Sequence, residues 1–320
     1  AACYAVVAYR TAYLKAYYPA EFMAATLNSF LGNLDKIPQY IDECKSLGIT
    51  ILKPEINKSN SKFTVEDGKI RFGLGSIKNV GITPVETIVK ERKENGEYKS
   101  FVDFCERISD EGVNKKCIES LIKAGAFDEF EQTRSTLLAS FEGIIDSIQS
   151  EKKKGLAGQV SMFDLGTESQ KEELNEMKYT FEEHEELPTK ELLSLEKEML
   201  GIYISGHPLE KLRNQIEMQT NINTIELKKL GEQMTTNLDE DNLQIQNEKP
   251  KYHDGQNVKY AGIITSIKKK YTKNNKIMAF VTIEDLYGTA EVIVFENAYL
   301  KAGKSLVEEN IVMVDRKTKY

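Results

Sequence analysis

The chain has 320 residues, with 43 Lys+Arg against 50 Asp+Glu and a formal net charge of −7. At roughly 100–200 residues per domain, that length predicts two or three domains. Charged residues at 29% and AVILMFWYC at 40% exclude wholesale disorder, and no apolar run reaches the roughly 18 residues of a membrane-crossing helix. Cys3, Cys44, Cys105 and Cys117 lie far apart with no CxxC pair, which reads as reduced, intracellular thiols rather than a disulfide framework or zinc site. The chain opens Ala-Ala-Cys-Tyr without Met and closes on what reads as a strand cut short, so an internal piece of a larger protein is expected. Charge is uneven: residues 167–250 hold 19 Asp/Glu against 9 Lys/Arg, whereas residues 256–320 hold 11 Lys/Arg against 7 Asp/Glu. An acidic middle beside a basic end predicts separate modules, the last able to face a polyanion.

Residues 1–55 read as helical. Tyr4, Val7, Thr11, Leu14 and Tyr18 fall at steps of three and four before Pro19, and Ile37, Ile41, Cys44 and Leu47 repeat the pattern, with Gly48 as a C-terminal cap. Residues 56–150 alternate short strand-like and helical pieces. Their most specific chemistry is Ile77-Lys78-Asn79-Val80-Gly81-Ile82-Thr83-Pro84-Val85-Glu86. Thr83 is expected to cap a helix, with Pro84 first and Glu86 completing a capping box. The turn of Lys78, Asn79, Val80 and Gly81 would leave N–H groups beside the helix start, a setting that suits a phosphate oxygen and reads no bases. The turn resembles a helix-hairpin-helix motif with Asn79 where glycine is commoner, and a weaker copy is expected at Leu121–Phe127. The plain alternative is that Gly73, Gly75 and Gly81 only permit tight turns. Gly73-Leu74-Gly75 lacks the third glycine and following acid of a dinucleotide loop, which excludes that reading.

Residues 151–170 read as a polar linker holding Gln159, Met162, Phe163 and Leu165. Adjacent apolar anchors on such a segment suit insertion into a partner's pocket, with Gln159 supplying amide hydrogen bonds. The alternative is a loop folded back on its own core. Residues 171–255 read as an acidic connector, helical through about Gly201 and then irregular. Asp239-Glu240-Asp241 in it reads as a solvated loop rather than a metal site. The three histidines are scattered, with no nucleophile or metal partner at useful spacing.

Residues 256–320 read as β. Val258, Tyr260, Gly262 and Ile264 alternate, as do Met278, Phe280 and Thr282, and then Ala290, Val292 and Val294. Asn274-Asn275 and Asp285–Gly288 supply the turns, and a helix over about 297–308 precedes a strand from Ile311. That is the order of an OB-fold short of its fifth strand. Lys268, Lys269, Lys270, Tyr271, Lys273 and Lys276, with Phe280 alongside, combine charge for phosphates with rings for bases, as single-stranded nucleic acid binding requires. A solvated lysine hairpin is the alternative.

The segment from Ala2 to Met23, the run Ile70-Arg71-Phe72-Gly73-Leu74-Gly75-Ser76-Ile77-Lys78-Asn79-Val80-Gly81, the stretch from Leu200 to Leu209 and the strand from Met278 to Asp285 are similar to the bacterial replicative DNA polymerase III alpha subunit, in the form without a built-in exonuclease. The resemblance implies a multidomain α+β fold. Residues 1–55 would end the helical fingers, residues 56–150 would form the helix-hairpin-helix domain, and residues 256–320 would form a truncated OB-fold β-barrel. It implies that Lys78, Asn79, Val80, Gly81, Ile82 and Thr83 hold duplex DNA by its backbone. Gln159, Met162, Phe163 and Leu165 would engage the sliding clamp (the beta subunit), Met162 standing where Leu is common. The lysine-rich loop would meet single-stranded template. Further implications are a cytoplasmic location, other polymerase III holoenzyme subunits as partners and no membrane. The palm carboxylates that hold two Mg2+ ions in the full polymerase are expected before Ala1, so that this piece holds no cofactor and does not polymerise alone. A free-standing helix-hairpin-helix/OB accessory protein of repair or recombination remains open, as does an interaction scaffold that binds no DNA.

Overall fold

The computed structural model describes residues 2–31, 36–109, 112–156, 179, 181–236, 257–272 and 275–317. Backbone packing divides the chain into Ala1–Gly206 and His207–Tyr320. The division falls inside the acidic stretch expected to act as a connector.

The first unit begins with α1 (Ala2–Tyr17), α2 (Pro19–Ser29) and α3 (Ile37–Ser46). Pro19 separates the first two helices because its fixed φ suits a helix start while its missing N–H disfavours continuation. Gly48, at φ +74°, turns the chain out of α3. α1 buries no residue, leaving the expected stripe exposed from Tyr4 onward. Tyr9, Tyr13 and Tyr17 line one side of it, with successive ring centroids 6.4 and 4.5 Å apart. By contrast, α2 buries Met23 and Leu27, and α3 buries Ile41 and Cys44.

A small sheet follows, in the order β1 (Ile51–Leu52), β3 (Lys69–Arg71), β2 (Thr64–Glu66). Then come α4 (Ile82–Asn95), α5 (Phe101–Ile108), α6 (Lys115–Lys123), α7 (Arg134–Leu156) and α8 (Thr189–Leu200). The start of α4 corrects the expected capping box. Its N-cap is Gly81, so Thr83 and Pro84 lie inside the first turn and Glu86 beyond it. All first-turn N–H groups lack intrahelical partners, so a proline among them does not mark the first position uniquely. One apolar cluster running from Ala20 to Ile202 fills this unit. Its centre is a set of aromatic contacts, Phe127 meeting Phe101 and Phe104 edge-on at 5.1 and 4.9 Å. Segments expected in the fingers, the helix-hairpin-helix domain and the connector therefore share a core. Cys44, Cys105 and Cys117 are buried in it as free thiols. Burial pushes the Cys44 thiol up to about 12 and that of Cys117 to about 11, which makes them packing groups rather than nucleophiles.

The second unit holds α9 (Arg213–Gln219) and α10 (Thr224–Thr236) in a stretch expected to be irregular. A reciprocal cap starts α10: the Glu226 N–H donates to Asn223 Oδ1 at 3.0 Å and the Asn223 N–H to Glu226 Oε2 at 3.3 Å. Next come β4 (Asn257–Tyr271), β5 (Ile277–Glu284), β6 (Thr289–Val294), α11 (Glu296–Ala302) and β7 (Ile311–Lys317). The strands form an antiparallel sheet in the order β6-β5-β4-β7, the curled half-barrel of an OB-fold. The Asp285–Gly288 turn is present, and of Asn274-Asn275 only Asn275 lies within the described residues. Asn275 takes φ +58°, and Asp285 Oδ1 accepts the Tyr287 and Gly288 N–H groups at 2.8 and 3.0 Å. Among the described residues, no helix is long and apolar enough to cross a membrane.

Candidate nucleic-acid interface

The hairpin before α4 is held from both sides and leaves its tip in solvent. Gly73 and Gly75 lie against the 61–63 backbone so closely that a Cβ would come within 2.6 Å of the Lys62 carbonyl carbon and 2.8 Å of Ser61 O. These glycines therefore serve close approach rather than turning. Ile77 and Val80 are buried, and the Val80 N–H donates to Ile77 O at 3.0 Å, closing the turn. The Lys78 N–H donates to Met199 O in α8 at 2.9 Å, while the Lys78 and Asn79 side chains stay exposed. Asn79 adopts φ +64°, the left-handed conformation that Asn tolerates among non-glycines, which explains its place where glycine is commoner. Gly81 has no side chain to occupy the first-turn donors of α4, and that turn carries no acidic residue. Ile82 and Thr83 are exposed beside them. The result is a cluster of N–H groups at the positive end of a 14-residue helix, with a lysine adjacent.

The weaker copy at Leu121–Phe127 is built differently. Asn114 caps α6 by accepting from the Cys117 N–H at 2.8 Å, and Gly125 turns the chain at φ +78°. The Arg134 guanidinium fills the space over Gly125, where a Cβ would lie 2.2 Å from one of its nitrogens. Arg134 donates to both Asp128 oxygens at 2.8 and 2.7 Å and to Glu196 Oε1 at 3.3 Å. Burial opposes the Arg134 charge, but Asp128 and Glu196 outweigh it and raise its pKa. Glu196, itself only 2% exposed, also accepts the Ile204 and Ser205 N–H groups at 3.2 and 3.1 Å. The donors at the start of α7 face a carboxylate already: the Arg134 and Ser135 N–H groups reach Glu186 at 3.0 and 3.3 Å. Sequence reasoning missed Arg134, Glu186 and Glu196, because Glu186 and Glu196 reach Arg134 from 52 and 62 residues away along the chain.

In the second unit the lysine-rich strand splits between two faces. Along β5 the core takes Ala279, Val281 and Ile283, leaving Met278, Phe280 and Thr282 half-buried on the outer face. β4 pairs Lys268 with Phe280 and Lys270 with Met278, so both lysines share that outer face. The Lys270 ammonium stands 4.9 Å from the Phe280 ring centroid. Lys269 and Tyr271 pair with Ala279 and Ile277 and lie on the other side of the strand. Lys269 is 5.8 Å from the Tyr299 ring centroid on α11, and Tyr271 is 70% exposed at the strand's end. Lys276 forms a 3.1 Å ion pair with Glu296. Alternation along the strand makes the split, and an irregularity between Ile264 and Ser266 sets which residues face outward. A bulge there reverses which alternate residues face the core, so that even-numbered positions point inward before it and outward after it. Lys273, Gln159, Met162, Phe163 and Leu165 lie outside the described residues.

Among the described residues, no group of three or more His, Cys, Asp or Glu side chains is gathered so as to hold a metal ion.

Two family models match the chain: one described as a helix-hairpin-helix motif over residues 48–137, the other as an OB-fold nucleic acid binding domain over residues 258–319. DNA polymerase III subunit alpha of Borreliella burgdorferi is 39% identical over 315 residues, covering 98% of this chain and 25% of the relative. The subunits of the same name from Saccharopolyspora erythraea and Bacillus subtilis are 38% and 36% identical over 318 and 308 residues, with 98% and 96% of this chain and 25% of each relative covered. The chain thus spans about a quarter of the length of the curated relatives it matches.

Proposed function

We propose that the chain, over the quarter of their length that it spans, belongs with the DNA polymerase III alpha subunits it resembles and is the DNA-holding and tethering part of a template-directed DNA polymerase. The Lys78–Thr83 hairpin grips the sugar-phosphate backbone of duplex DNA without reading its sequence. The outer face of the half-barrel, with Lys268, Lys270 and Phe280, meets single-stranded template. Gln159, Met162, Phe163 and Leu165 tether the polymerase to the sliding clamp. A tether raises the local concentration of primer ends and turns weak contacts into processive synthesis. The palm carboxylates and their Mg2+ ions belong to the remainder of the polymerase, with the other holoenzyme subunits as cytoplasmic partners, and this piece alone extends no primer.

The observation that carries this reading is the exposed hairpin, where an asparagine at φ +64° and an uncapped helix start leave N–H donors beside Lys78. Its test is anisotropy binding of the chain to a primer–template duplex across a salt series. Lys78→Ala is expected to weaken binding about equally for unrelated sequences and to reduce the log–log salt slope by about 0.9, one phosphate contact. Unchanged affinity and slope would remove the hairpin from the DNA site. A clamp pull-down with Gln159→Ala/Phe163→Ala tests the tether separately, and retention of the doubly substituted chain would overturn it.

A further inference from the structure

The outer face of the half-barrel carries an ordered array that the sequence does not display. In one row Lys268 of β4 lies beside Phe280 of β5, which lies beside Ile293 of β6. The next row places Lys270 beside Met278. Because Ala279 pairs with Val294, Phe295 follows onto the same row one residue past β6. Ile293 is 47% exposed and Phe295 61% exposed. Both rows therefore run from a cation on β4, across a half-buried apolar side chain on β5, to an exposed one at β6. On the other side of the Phe280 row, Glu291 pairs with Thr282, so the apolar surface stops at a carboxylate.

We infer that these two rows form a two-nucleotide site, with Phe295 as a binding residue: successive bases pack on Phe280–Ile293 and on Met278–Phe295, and their phosphates lie along β4 at Lys268 and Lys270. The inference rests on the single-strand reading of this face and deepens it, fixing the side on which the backbone runs and the second stacking ring. Three features favour a nucleic acid strand. Lys268 and Lys270 line the β4 border, whereas Lys276 is paired with Glu296, which matches a ligand with its charge along one edge. The rows are about 6.7 Å apart, two residues along a strand, so each has its own lysine on β4, and the Lys270 side chain leans across to the Phe280 ring. The Phe280 ring also already holds a cation 4.9 Å from its centroid, and a ring packed between a base and an ammonium uses both faces. Sequence-tolerant stacking suits such a surface, because every base has a π-face.

The test is binding of the 320-residue chain to a fluorescein-labelled oligothymidylate of about 12 nucleotides, within the range of OB-fold site sizes, followed by anisotropy from low to moderate salt. All substituted side chains are exposed or half-buried on the surface. Circular dichroism melting confirms that each variant is folded. Phe295→Ala is expected to weaken binding about 5- to 150-fold, the worth of one base–aromatic stack, with the salt slope unchanged. Phe295→Tyr should retain binding. Lys268→Ala/Lys270→Ala should reduce the slope by about 1.4, two single-strand phosphates. If Phe295→Ala binds like the parent while Phe280→Ala does not, the second row is no part of the site and the inference fails alone. If neither phenylalanine nor the lysine pair affects binding, the single-strand reading fails with it.

Discussion

Two turns in the first unit precede helices and treat the donors at those helix starts in opposite ways. The one at Lys78–Gly81 keeps its helix donors clear: an N-cap without a side chain, no acid in the first turn and a lysine in solvent. The one between α6 and α7 is filled from within: Arg134 occupies the space over Gly125, Asp128 and Glu196 hold Arg134, and Glu186 takes the first N–H groups of α7. A helix N-terminus is intrinsically an anion site, so what decides its use is whether the chain supplies the anion itself. The loop entering α7 also carries Asp128, Glu129 and Glu131, which would repel a phosphate. The first turn leaves its donors open, as the proposed DNA contact requires, and the second holds the unit together.

The largest effect should separate these roles. Glu196→Ala leaves Arg134 buried with less compensation and removes the acceptor for Ile204 and Ser205, so urea unfolding should show a loss of about 3–5 kcal/mol. Duplex affinity measured where the variant remains folded should hardly change. A large affinity loss at full folding would mean that the second turn also contacts DNA. The two glycines sharpen the contrast at smaller scale. At Gly125, alanine meets both a positive φ and Arg134, so the cost should exceed the roughly 1–2 kcal/mol of a left-handed residue. At Gly81, where φ is −74° and the nearest atom is Pro84 Cδ at 3.3 Å, alanine should cost about 1 kcal/mol or less. Equal losses at the two positions would erase the distinction. Asn79→Val falls between them: a β-branched side chain at φ +64° should cost about 1–2 kcal/mol and weaken duplex binding, whereas Asn79→Gly should keep both.

How far the sequence disclosed this organisation depends on the range of the contacts involved. The Lys78–Gly81 turn was legible because its determinants are neighbours, and the half-barrel's strand order was legible from alternation and from turns such as Asp285–Gly288. Local rules failed where several positions satisfy the same chemistry, as with Pro84 read as the first helical residue. The cap pair Asn223 and Glu226 has the spacing of three that a reciprocal cap requires, but it stands in a polar stretch with little apolar periodicity beside it. Tyr271 lies on the opposite face from Lys268 and Lys270 because, with no bulge between them, odd and even positions alternate sides. Phe295 was out of reach, because only the β5–β6 register shows which row the chain continues past Val294. Likewise, no local signal pairs Arg134 with Glu196.

The smallest predicted effect bears most directly on the comparison. Glu186 is exposed, so its carboxylate on the α7 donors should stabilise the unit by only about 0.3–1 kcal/mol, with salt weakening it further. Glu186→Ala removes that carboxylate and leaves only the Thr133 hydroxyl, which accepts the Thr136 N–H at 3.1 Å, as a side-chain cap on α7. If occupancy by Glu186 alone kept DNA away, the variant should bind duplex more tightly than the parent, with a steeper salt slope. The expected outcome is no gain, because Asp128 stays paired with Arg134 and Glu129 and Glu131 remain on the loop. A modest stability loss with unchanged duplex affinity would thus place the difference between the turns in their whole electrostatic setting. A steeper slope would reduce it to a single displaceable side chain and make the second turn a masked copy of the first.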